Sequence, residues 1–342
     1  MSFAVPSLQE LLHHSDVVRI PLRMPFRDTT VREVMIFHGA HRAGEWGPFP
    51  EYSDIVAARW LRSALEQAYD PTLARELPGQ HTIPVNATFP SMKPQEVDAW
   101  WQKFPGATSA KIKVAGPKAD LETDLERVKA VRAAAGPEAK IRLDANAGWS
   151  MQEAMAALSR LSKFSIDYVE QPVARATDMA AMKTHLKVLG VRLAADELIR
   201  QPNGLDQVIR DGSADVAVLK VSPLGGINAT RRLARRANAA GLEVVLSSAL
   251  ETSIGLSWGI RAATMVRQEL GALPDAGLGT SVLFSEDVTV DPIRISDGAV
   301  ALEQVKVDMD QIRKLSAPAH RTRWWRERLT RCLPLALDLI QD

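Results

Sequence analysis

Short hydrophobic runs alternate with longer amphipathic segments through the middle of the chain, with a repeat of 20 to 30 residues. The runs are rich in β-branched residues and predict strands. Strands that alternate with helices are typical of parallel β/α units. The predicted strands are Ile83–Thr88, Ala110–Ala115, Lys140–Ala145, Ile166–Glu170, Val191–Asp196, Ala214–Val221, Leu242–Ser248 and, as the weakest, Ala276–Thr280.

The segments between the strands carry helical spacing. One helix is predicted from Leu121, because apolar residues then recur every three or four positions as far as Val131. Ser150 and Glu153 form an S-x-x-E capping box, which predicts a second helix start directly after Trp149. The buried face of that second helix is predicted to carry Met151, Met155, Leu158 and Leu161.

Eight such β/α units close into a (β/α)₈ barrel of the TIM type, and residues 83–285 supply the length that a barrel requires. An open doubly wound sheet is the alternative. It typically carries a glycine-rich first turn, and no G-x-G-x-x-G follows an early strand here. The pattern therefore favours an α/β barrel as the catalytic domain.

The two flanks of the barrel have a different pattern. Strand-like runs at Val17–Met24 and Thr30–His38, followed by a helical pattern at Ile55–Tyr69, predict a small α+β domain. Val288–Val307 again indicates short strands. The basic and apolar segment Arg321–Ile340 predicts a helix that Pro334 breaks or kinks. It is either a membrane-surface or partner helix, or a helix docked on its own protein.

Composition narrows the class of protein. The 342 residues carry 42 Lys+Arg and 41 Asp+Glu, a net charge of +1 that gives no reason to expect nucleic acid. A hydrophobic content of 46% and a charged content of 24% are those of a globular protein. The single cysteine, Cys332, excludes an internal disulfide and a cysteine-based metal site. With no transmembrane run and no signal-peptide pattern in Met1–Leu12, the expected compartment is the cytoplasm.

Six charged residues lie near the ends of five predicted strands, and we call them the strand-end cluster: Lys111, Lys113, Asp144, Glu170, Asp196 and Lys220. In a parallel barrel these ends converge on one site. The spacings from Asp144 to Glu170 and from Glu170 to Asp196 are both 26 residues, about one β/α unit. Three carboxylates buried together require compensating positive charge. Oxygen-only ligands at an open site favour Mg²⁺, with Mn²⁺ as a possible substitute.

The lysines of the cluster indicate acid–base chemistry. Lys111 and Lys113 lie two residues apart and share one face of their strand, while Lys220 lies roughly across the barrel. A lysine acts as a base only when neutral, and a neighbouring ammonium and desolvation both lower its pKa. A cation and a flanking base suit abstraction of a proton α to a carboxylate. A serine hydrolase is disfavoured, because no G-x-S-x-G surrounds Ser247 and Ser248.

These motifs together resemble the enolase superfamily, in particular its muconate-lactonizing-enzyme subgroup. The resemblance covers nearly the whole chain. The segments that carry it are K-x-K at Lys111–Lys113, R-L-D-A-N at Arg142–Asn146, V-E-Q-P at Val169–Pro172, D-E at Asp196–Glu197 and the strand Val218–Val221.

The resemblance implies a role for each member of the strand-end cluster. Asp144, Glu170 and Asp196 are the implied Mg²⁺ ligands. Lys113 is the implied base on one face of the substrate, Lys220 lies on the opposite face, and Lys111 tunes Lys113. It also implies that residues 1–82 and the returning residues 286–342 form a capping domain over the barrel, with the loop Gly44–Tyr52 as a lid.

Within the subgroup, two activities lack their motifs. No D-x-D stands at the eighth strand, where the chain has Gly277–Gly279, and no histidine follows the seventh strand in Ser247–Ser253. The chain is most similar to the short actinobacterial enzymes that dehydrate 2-succinyl-6-hydroxy-2,4-cyclohexadiene-1-carboxylate in menaquinone biosynthesis. The alternatives are an N-succinylamino acid racemase, a muconate cycloisomerase-type enzyme, or a non-catalytic barrel that serves as a scaffold.

The expected partner is therefore a small carboxylate substrate, with neither nucleic acid nor membrane involved, bound by a monomer or small homo-oligomer. Arg142 shares a strand face with Asp144 and is a candidate partner for the succinyl carboxylate. The full set of candidate substrate contacts is Arg142, Asn146, Ser247, Ser248 and Thr280.

Overall fold

The computed structural model describes residues 3–26, 29–116 and 120–341 of the chain. Its strands are β1 (Ser15–Phe26), β2 (Thr29–His38), β3 (Ala43–Trp46), β4 (Thr82–Pro84), β5 (Ala87–Phe89), β6 (Ser109–Lys113), β7 (Lys140–Asp144), β8 (Ile166–Glu170), β9 (Arg192–Ala195), β10 (Val216–Lys220), β11 (Glu243–Ser247), β12 (Ile295–Ser296) and β13 (Ala299–Ala301). Its helices are α1 (Leu8–His13), α2 (Asp54–Tyr69), α3 (Pro71–Ala74), α4 (Val97–Trp101), α5 (Leu121–Ala135), α6 (Met151–Leu161), α7 (Ala176–Val188), α8 (Gly204–Asp211), α9 (Val221–Leu224), α10 (Ile227–Ala239), α11 (Ser253–Leu270), α12 (Met309–Lys314) and α13 (Ala319–Gln341).

A curled parallel sheet forms the centre of the molecule. Its strands run in the order β11-β10-β9-β8-β7-β6-β5, which is sequence order from one edge to the other. Ala276 bridges to Val85 beside β5, and Gly277 bridges to Ser247 at the end of β11. These two residues therefore join the two edges of the sheet and complete the predicted barrel, with the helices packed outside it.

Two details of the predicted barrel are corrected. The eighth strand, predicted at Ala276–Thr280, is in the structure only a two-residue bridge. The first, predicted at Ile83–Thr88, is divided, because β4 pairs with β13 in a separate sheet and only β5 joins the barrel. The capping box of α6 is present at Ser150. Met151, however, is exposed rather than buried, since alanines of α6 take its place against the core.

The flanking segments form two antiparallel sheets, the first of which builds a cap that contacts the start of α11 through Glu45. The first contains β1, β2 and β3, and the second contains β12, β13 and β4. The C-terminal helix α13 packs on this cap, where the Trp325 ring is fully buried and its centroid lies 5.2 Å from that of Trp46. This confirms the alternative in which the helix docks on its own protein. The expected break at Pro334 does not occur, because α13 continues through it.

None of the helices in the described ranges combines the length and hydropathy needed to span a membrane.

Two buried carboxylates link the cap to the barrel. Glu45 of β3 accepts hydrogen bonds from the backbone and hydroxyl of Thr252 and from the Gly255 amide at the start of α11. Glu66 of α2 accepts from the Ile227 amide at the start of α10. Burial raises the pKa of Glu45 to about 8 and that of Glu66 to about 7. Both side chains therefore hold protons more strongly in the folded protein than in the unfolded chain.

Glu45→Gln is expected to flatten the pH dependence of stability between about pH 5 and pH 8. In this window the folded wild type keeps a proton on Glu45 that the unfolded chain releases, so its free energy of unfolding falls as pH rises. One such group contributes at most about 1.4 kcal/mol per pH unit. Urea unfolding of wild type, Glu45→Gln and the exposed control Glu126→Gln across this range measures the slopes. Parallel curves for wild type and Glu45→Gln would contradict the assignment.

Candidate active site

The register of the barrel strands places the strand-end cluster together. Lys113 of β6 stands opposite Asp144 of β7, which stands opposite Glu170 of β8. Asp196 follows β9 directly, and Lys220 is the last residue of β10. All six side chains of the cluster are buried. Hydrogen bonding between parallel strands has thus brought charges from five neighbouring strands to one end of the barrel.

Lysines and carboxylates alternate in this cluster. Each lysine forms a short ion pair with one carboxylate: Lys113 Nζ to Asp144 Oδ2 at 2.5 Å, Lys111 Nζ to Glu170 Oε2 at 3.0 Å, and Lys220 Nζ to Asp196 Oδ2 at 2.6 Å. Longer contacts of 3.9 Å connect Lys111 to Asp144 and Lys220 to Glu170. The six residues therefore form a continuous chain with Lys113 and Lys220 towards its two ends.

This pairing corrects the expectation that the three buried carboxylates need a bound cation to balance their charge. Three ammonium groups already match the three carboxylates, so charge balance alone does not require a cation. Burial lowers the pKa of Lys111, but the charges of Glu170 and Asp144 outweigh burial and raise it above its usual value. Burial, together with the charge of Asp144, raises the pKa of Glu170 to about 7.

The donor set nevertheless fits a divalent cation. As the side chains lie, no three acidic, cysteine or histidine residues of the described ranges meet at metal-binding spacing. The carboxylates instead reach towards their lysine partners. Glu170 Oε1, at the centre of the cluster, is buried and accepts no hydrogen bond from any described residue. An orphaned carboxylate oxygen flanked by carboxylates from the two adjacent strands is the ligand chemistry that Mg²⁺ and Mn²⁺ prefer.

A cavity opens beside the cluster. Its walls include Phe26 and Phe49 of the cap, Thr88 of β5, and the loop that follows β11. The open volume is about 40 Å³, smaller than a substrate-sized pocket, and the lysine side chains stand at its wall. A ligand of substrate size would need this cavity to widen.

Three predicted substrate contacts line this cavity. Ser247 lies 3.5 Å from Lys111 Nζ, and the hydroxyls of Ser248 and Thr280 are 2.7 Å apart. Asn146 is not among the lining residues; its Oδ1 accepts a 2.6 Å hydrogen bond from Lys113 Nζ. Asn146 is thus placed to orient the lysine rather than the substrate.

Arg142 is corrected as a substrate contact. Its guanidinium donates to the Asp275 carbonyl at 2.6 Å, lies 3.3 Å from Asn86 Oδ1 and pairs with Asp167 at 3.5 Å. It is fully buried and does not line the cavity. Its donors are directed to protein partners inside the barrel, so we assign it a structural role.

Sequence reasoning missed Arg200. This side chain lines the cavity, pairs with Asp196 at 3.1 Å and with Glu197 at 2.8 Å, and lies 3.4 Å from the hydroxyl of Tyr52 in the cap. The sequence did carry a signal for it: Arg200 lies four residues after Asp196, which itself directly follows a strand. Arg200 therefore connects a candidate metal ligand to the lid.

Arg32 of β2 was also missed. Its Nε donates to the Leu250 carbonyl at 2.9 Å, and a second nitrogen donates to the Gly47 carbonyl. Its guanidinium carbon lies 4.3 Å from the centre of the Phe49 ring. Phe49 and Leu250 both line the cavity, and Leu250 holds a left-handed φ of 67°. One buried cation thus holds a lid residue and a barrel loop in place.

Two family models cover most of the chain. Residues 17–68 match the enolase N-terminal domain-like family, and residues 96–306 match the enolase C-terminal domain-like family. The second match alone spans more than half of the 342 residues. The chain belongs to the enolase superfamily. This confirms the resemblance that the strand-end motifs indicated.

Relatives within the superfamily are similar over almost the full length. The o-succinylbenzoate synthase of Mycobacterium ulcerans is 41% identical over 331 residues, 96% of each chain. That of Mycobacterium tuberculosis is 39% identical over 338 residues, 97% of each chain. Such coverage means that the cap and the barrel are both shared with these enzymes.

Solved superfamily structures share the fold. Muconate lactonizing enzyme from Pseudomonas fluorescens, complexed with muconolactone, matches 89% of this chain and 98% of its own with a TM-score of 0.75 and 21% identity. An N-succinyl Arg/Lys racemase from Bacillus cereus matches 89% of this chain and 97% of its own, with a TM-score of 0.68 and 20% identity. At these identities the likeness extends to the barrel with its cap and not to the substrate.

Proposed function

We propose that the protein is an o-succinylbenzoate synthase. It removes water from 2-succinyl-6-hydroxy-2,4-cyclohexadiene-1-carboxylate to give 2-succinylbenzoate, a step of menaquinone biosynthesis. The observation that carries this proposal is the 39–41% identity to synthases of that name over nearly the whole chain. The buried, alternating strand-end cluster supports it, because the reaction needs a base beside a bound carboxylate.

Lys113 is the proposed base. In its neutral form it takes the proton from the ring carbon that bears the carboxylate, and the electrons of that C–H bond form the new ring double bond. The ring C–O bond breaks, and the proton now on Lys113 leaves with the hydroxyl as water from the same face. Asn146 Oδ1, 2.6 Å from Lys113 Nζ, holds the amine in position. The ring becomes aromatic, which lowers the barrier.

Lys220 is proposed to stay protonated on the opposite side of the substrate. The ammonium pairs with Asp196 at 2.6 Å and lies 3.9 Å from Glu170. From there it stabilises negative charge without transferring a proton. Lys111 lies between Glu170 and Asp144 and is proposed to hold these two carboxylates in position.

Asp144, Glu170 and Asp196 are the proposed ligands of a divalent cation, Mg²⁺ with Mn²⁺ as a substitute. When bound, the cation supplies positive charge at the substrate carboxylate, where negative charge grows as the proton leaves. The hydroxyls of Ser248 and Thr280, which already share a 2.7 Å contact, are proposed to bind the polar groups of the succinyl arm.

A second candidate activity is racemisation of N-succinyl amino acids. It needs a proton acceptor on one face and a donor on the other, and Lys113 and Lys220 lie at separate ends of the cluster. The same placement of Lys113 and Lys220 would serve both activities in one enzyme.

The substrate assignment is tested by comparing kcat/KM for three reactions under one set of conditions with Mg²⁺. The reactions are dehydration of the cyclohexadiene carboxylate, racemisation of N-succinyl amino acids and cycloisomerisation of muconate. We expect dehydration to be fastest by at least about tenfold, which corresponds to about 1.4 kcal/mol of transition-state preference. Faster racemisation or cycloisomerisation would overturn the assignment.

Arg32→Lys is expected to raise KM for the cyclohexadiene substrate by about tenfold with a smaller change in kcat. Lysine keeps the charge but loses the planar fork that bonds both Leu250 and Gly47, so the two cavity walls move apart. Steady-state kinetics measure the split, and Arg23→Lys, an exposed change at β1, serves as the control. An unchanged KM would show that Arg32 does not shape the cavity.

A further inference from the structure

A second cavity lies between α2, α10 and the C-terminal end of α13. Its volume is about 450 Å³, and it shares no lining residue with the candidate active site. We call it the arginine cavity, because five arginines line it: Arg59, Arg62, Arg231, Arg232 and Arg235. Neither the proposed dehydration nor the superfamily assignment uses these residues.

The arginine cavity carries more positive than negative charge. Glu66 pairs with Arg62 at 3.6 Å, and Glu269 pairs with both Arg231 and Arg235. Arg232 is exposed and forms no hydrogen bond or ion pair with any described residue. With Asp70, whose charge also acts on Arg62, three carboxylates therefore oppose five guanidinium groups. The positive potential that remains attracts an anion.

Two of the arginines are fixed in place by backbone carbonyls. Arg59 donates to the Arg200 carbonyl at 2.6 Å, and Arg62 donates to the Leu339 carbonyl at 3.0 Å. Burial lowers the pKa of Arg62; Glu66 opposes this effect, and the nearby charge of Arg232 adds to it. The guanidinium groups are thus held close together against mutual repulsion, a cost that a bound anion would relieve.

The remaining walls indicate what kind of anion fits. Leu224, Leu339 and Ile340 add apolar surface to the lining of the cavity. A volume of about 450 Å³ lies in the range of pockets that hold ligands much larger than one phosphate. The first amide of α10 is not the anion site, since Ile227 already donates to Glu66.

We propose that the arginine cavity binds a nucleoside diphosphate or triphosphate. The phosphate groups lie on Arg232 and Arg235, whose guanidinium forks match phosphate oxygens in pairs. The base lies against Leu224 and Ile340. This binding is independent of the proposed dehydration, so either one can fail without the other.

Isothermal titration calorimetry on the full chain tests the proposal with four probes: ADP, ATP, pyrophosphate and adenosine. ADP or ATP should bind more tightly than pyrophosphate or adenosine, because only the nucleotides can contact both the arginines and the apolar residues of the cavity. Arg232→Gln should weaken nucleotide binding by about tenfold or more, as expected for loss of a charged hydrogen bond. Arg210→Gln, an exposed change on α8, should leave the affinity unchanged, and circular dichroism checks that both variants fold.

Three results would overturn the proposal. They are no heat with either nucleotide, an equal affinity for pyrophosphate and ATP, and an unchanged nucleotide affinity in Arg232→Gln. The second would indicate a phosphate site without a base contact, and the third would place any binding elsewhere on the protein.

Discussion

Replacing Lys113 with alanine is expected to lower kcat for the dehydration by about 10²–10⁴-fold, the usual contribution of a positioned acid–base group. The expectation rests on geometry: Lys113 stands at one end of the strand-end cluster and lines the cavity, and its amine is held by Asp144 at 2.5 Å and by Asn146 at 2.6 Å. Stopped-flow or steady-state assays of the purified variant measure the effect.

Matched lysine variants separate catalysis from general damage. Lys140→Ala changes an exposed lysine at the opposite end of the neighbouring strand β7 and should keep wild-type activity. Lys220→Ala should lower kcat less than Lys113→Ala, because Lys220 supplies charge and not proton transfer. Full activity in Lys113→Ala would remove the proposed base, and equal losses in the two cluster variants would favour proton transfer on both faces.

Glu170→Gln is expected to weaken Mn²⁺ binding by at least about a hundredfold and to abolish turnover. Glu170 is the central carboxylate, with one oxygen 3.0 Å from Lys111 and the other orphaned among the described residues. Changes in the surroundings of metal ligands alone typically cost 10- to 100-fold in affinity, so loss of a ligand should cost at least as much. Titration of Mn²⁺, followed by calorimetry or by its paramagnetic resonance signal, gives a readout apart from activity.

Glu243→Gln is the matched control, since Glu243 pairs with Arg192 at 2.8 Å at the opposite end of the strands. Wild type treated with EDTA should lose turnover and stay folded, because the lysines already balance the carboxylates in the absence of a metal. Wild-type Mn²⁺ affinity in Glu170→Gln would contradict the proposed ligand set.

The sequence was most informative where chemistry and periodicity coincide. Hydrophobic runs in β/α alternation located the strands. The charged residues at the ends of five of these runs were predicted to meet, because parallel barrel strands end at the same rim, and the structure brings them together. The pattern does not say which sheet a run joins. Residues 83–88 therefore appeared as one strand, although β4 pairs with β13 and β5 enters the barrel.

Side-chain partners were less predictable than strand positions. The alternation of side chains along a strand placed Arg142 and Asp144 on one face. It does not show how deep inside the barrel each side chain lies, and Arg142 lies where it donates to the Asp275 carbonyl. Arg32 and Leu250 are 218 residues apart, so no local pattern links them. The pairing of each carboxylate with a lysine was likewise a consequence of folding, because residues 59 apart, such as Lys111 and Glu170, meet only in the barrel.

The most direct measurement is an ultraviolet assay of the purified wild-type protein with Mg²⁺ and the cyclohexadiene carboxylate, with an EDTA-treated sample beside it. The proposed function predicts rapid conversion to 2-succinylbenzoate, stopped by EDTA and restored by added Mg²⁺. No conversion by protein that demonstrably binds Mg²⁺ would contradict it.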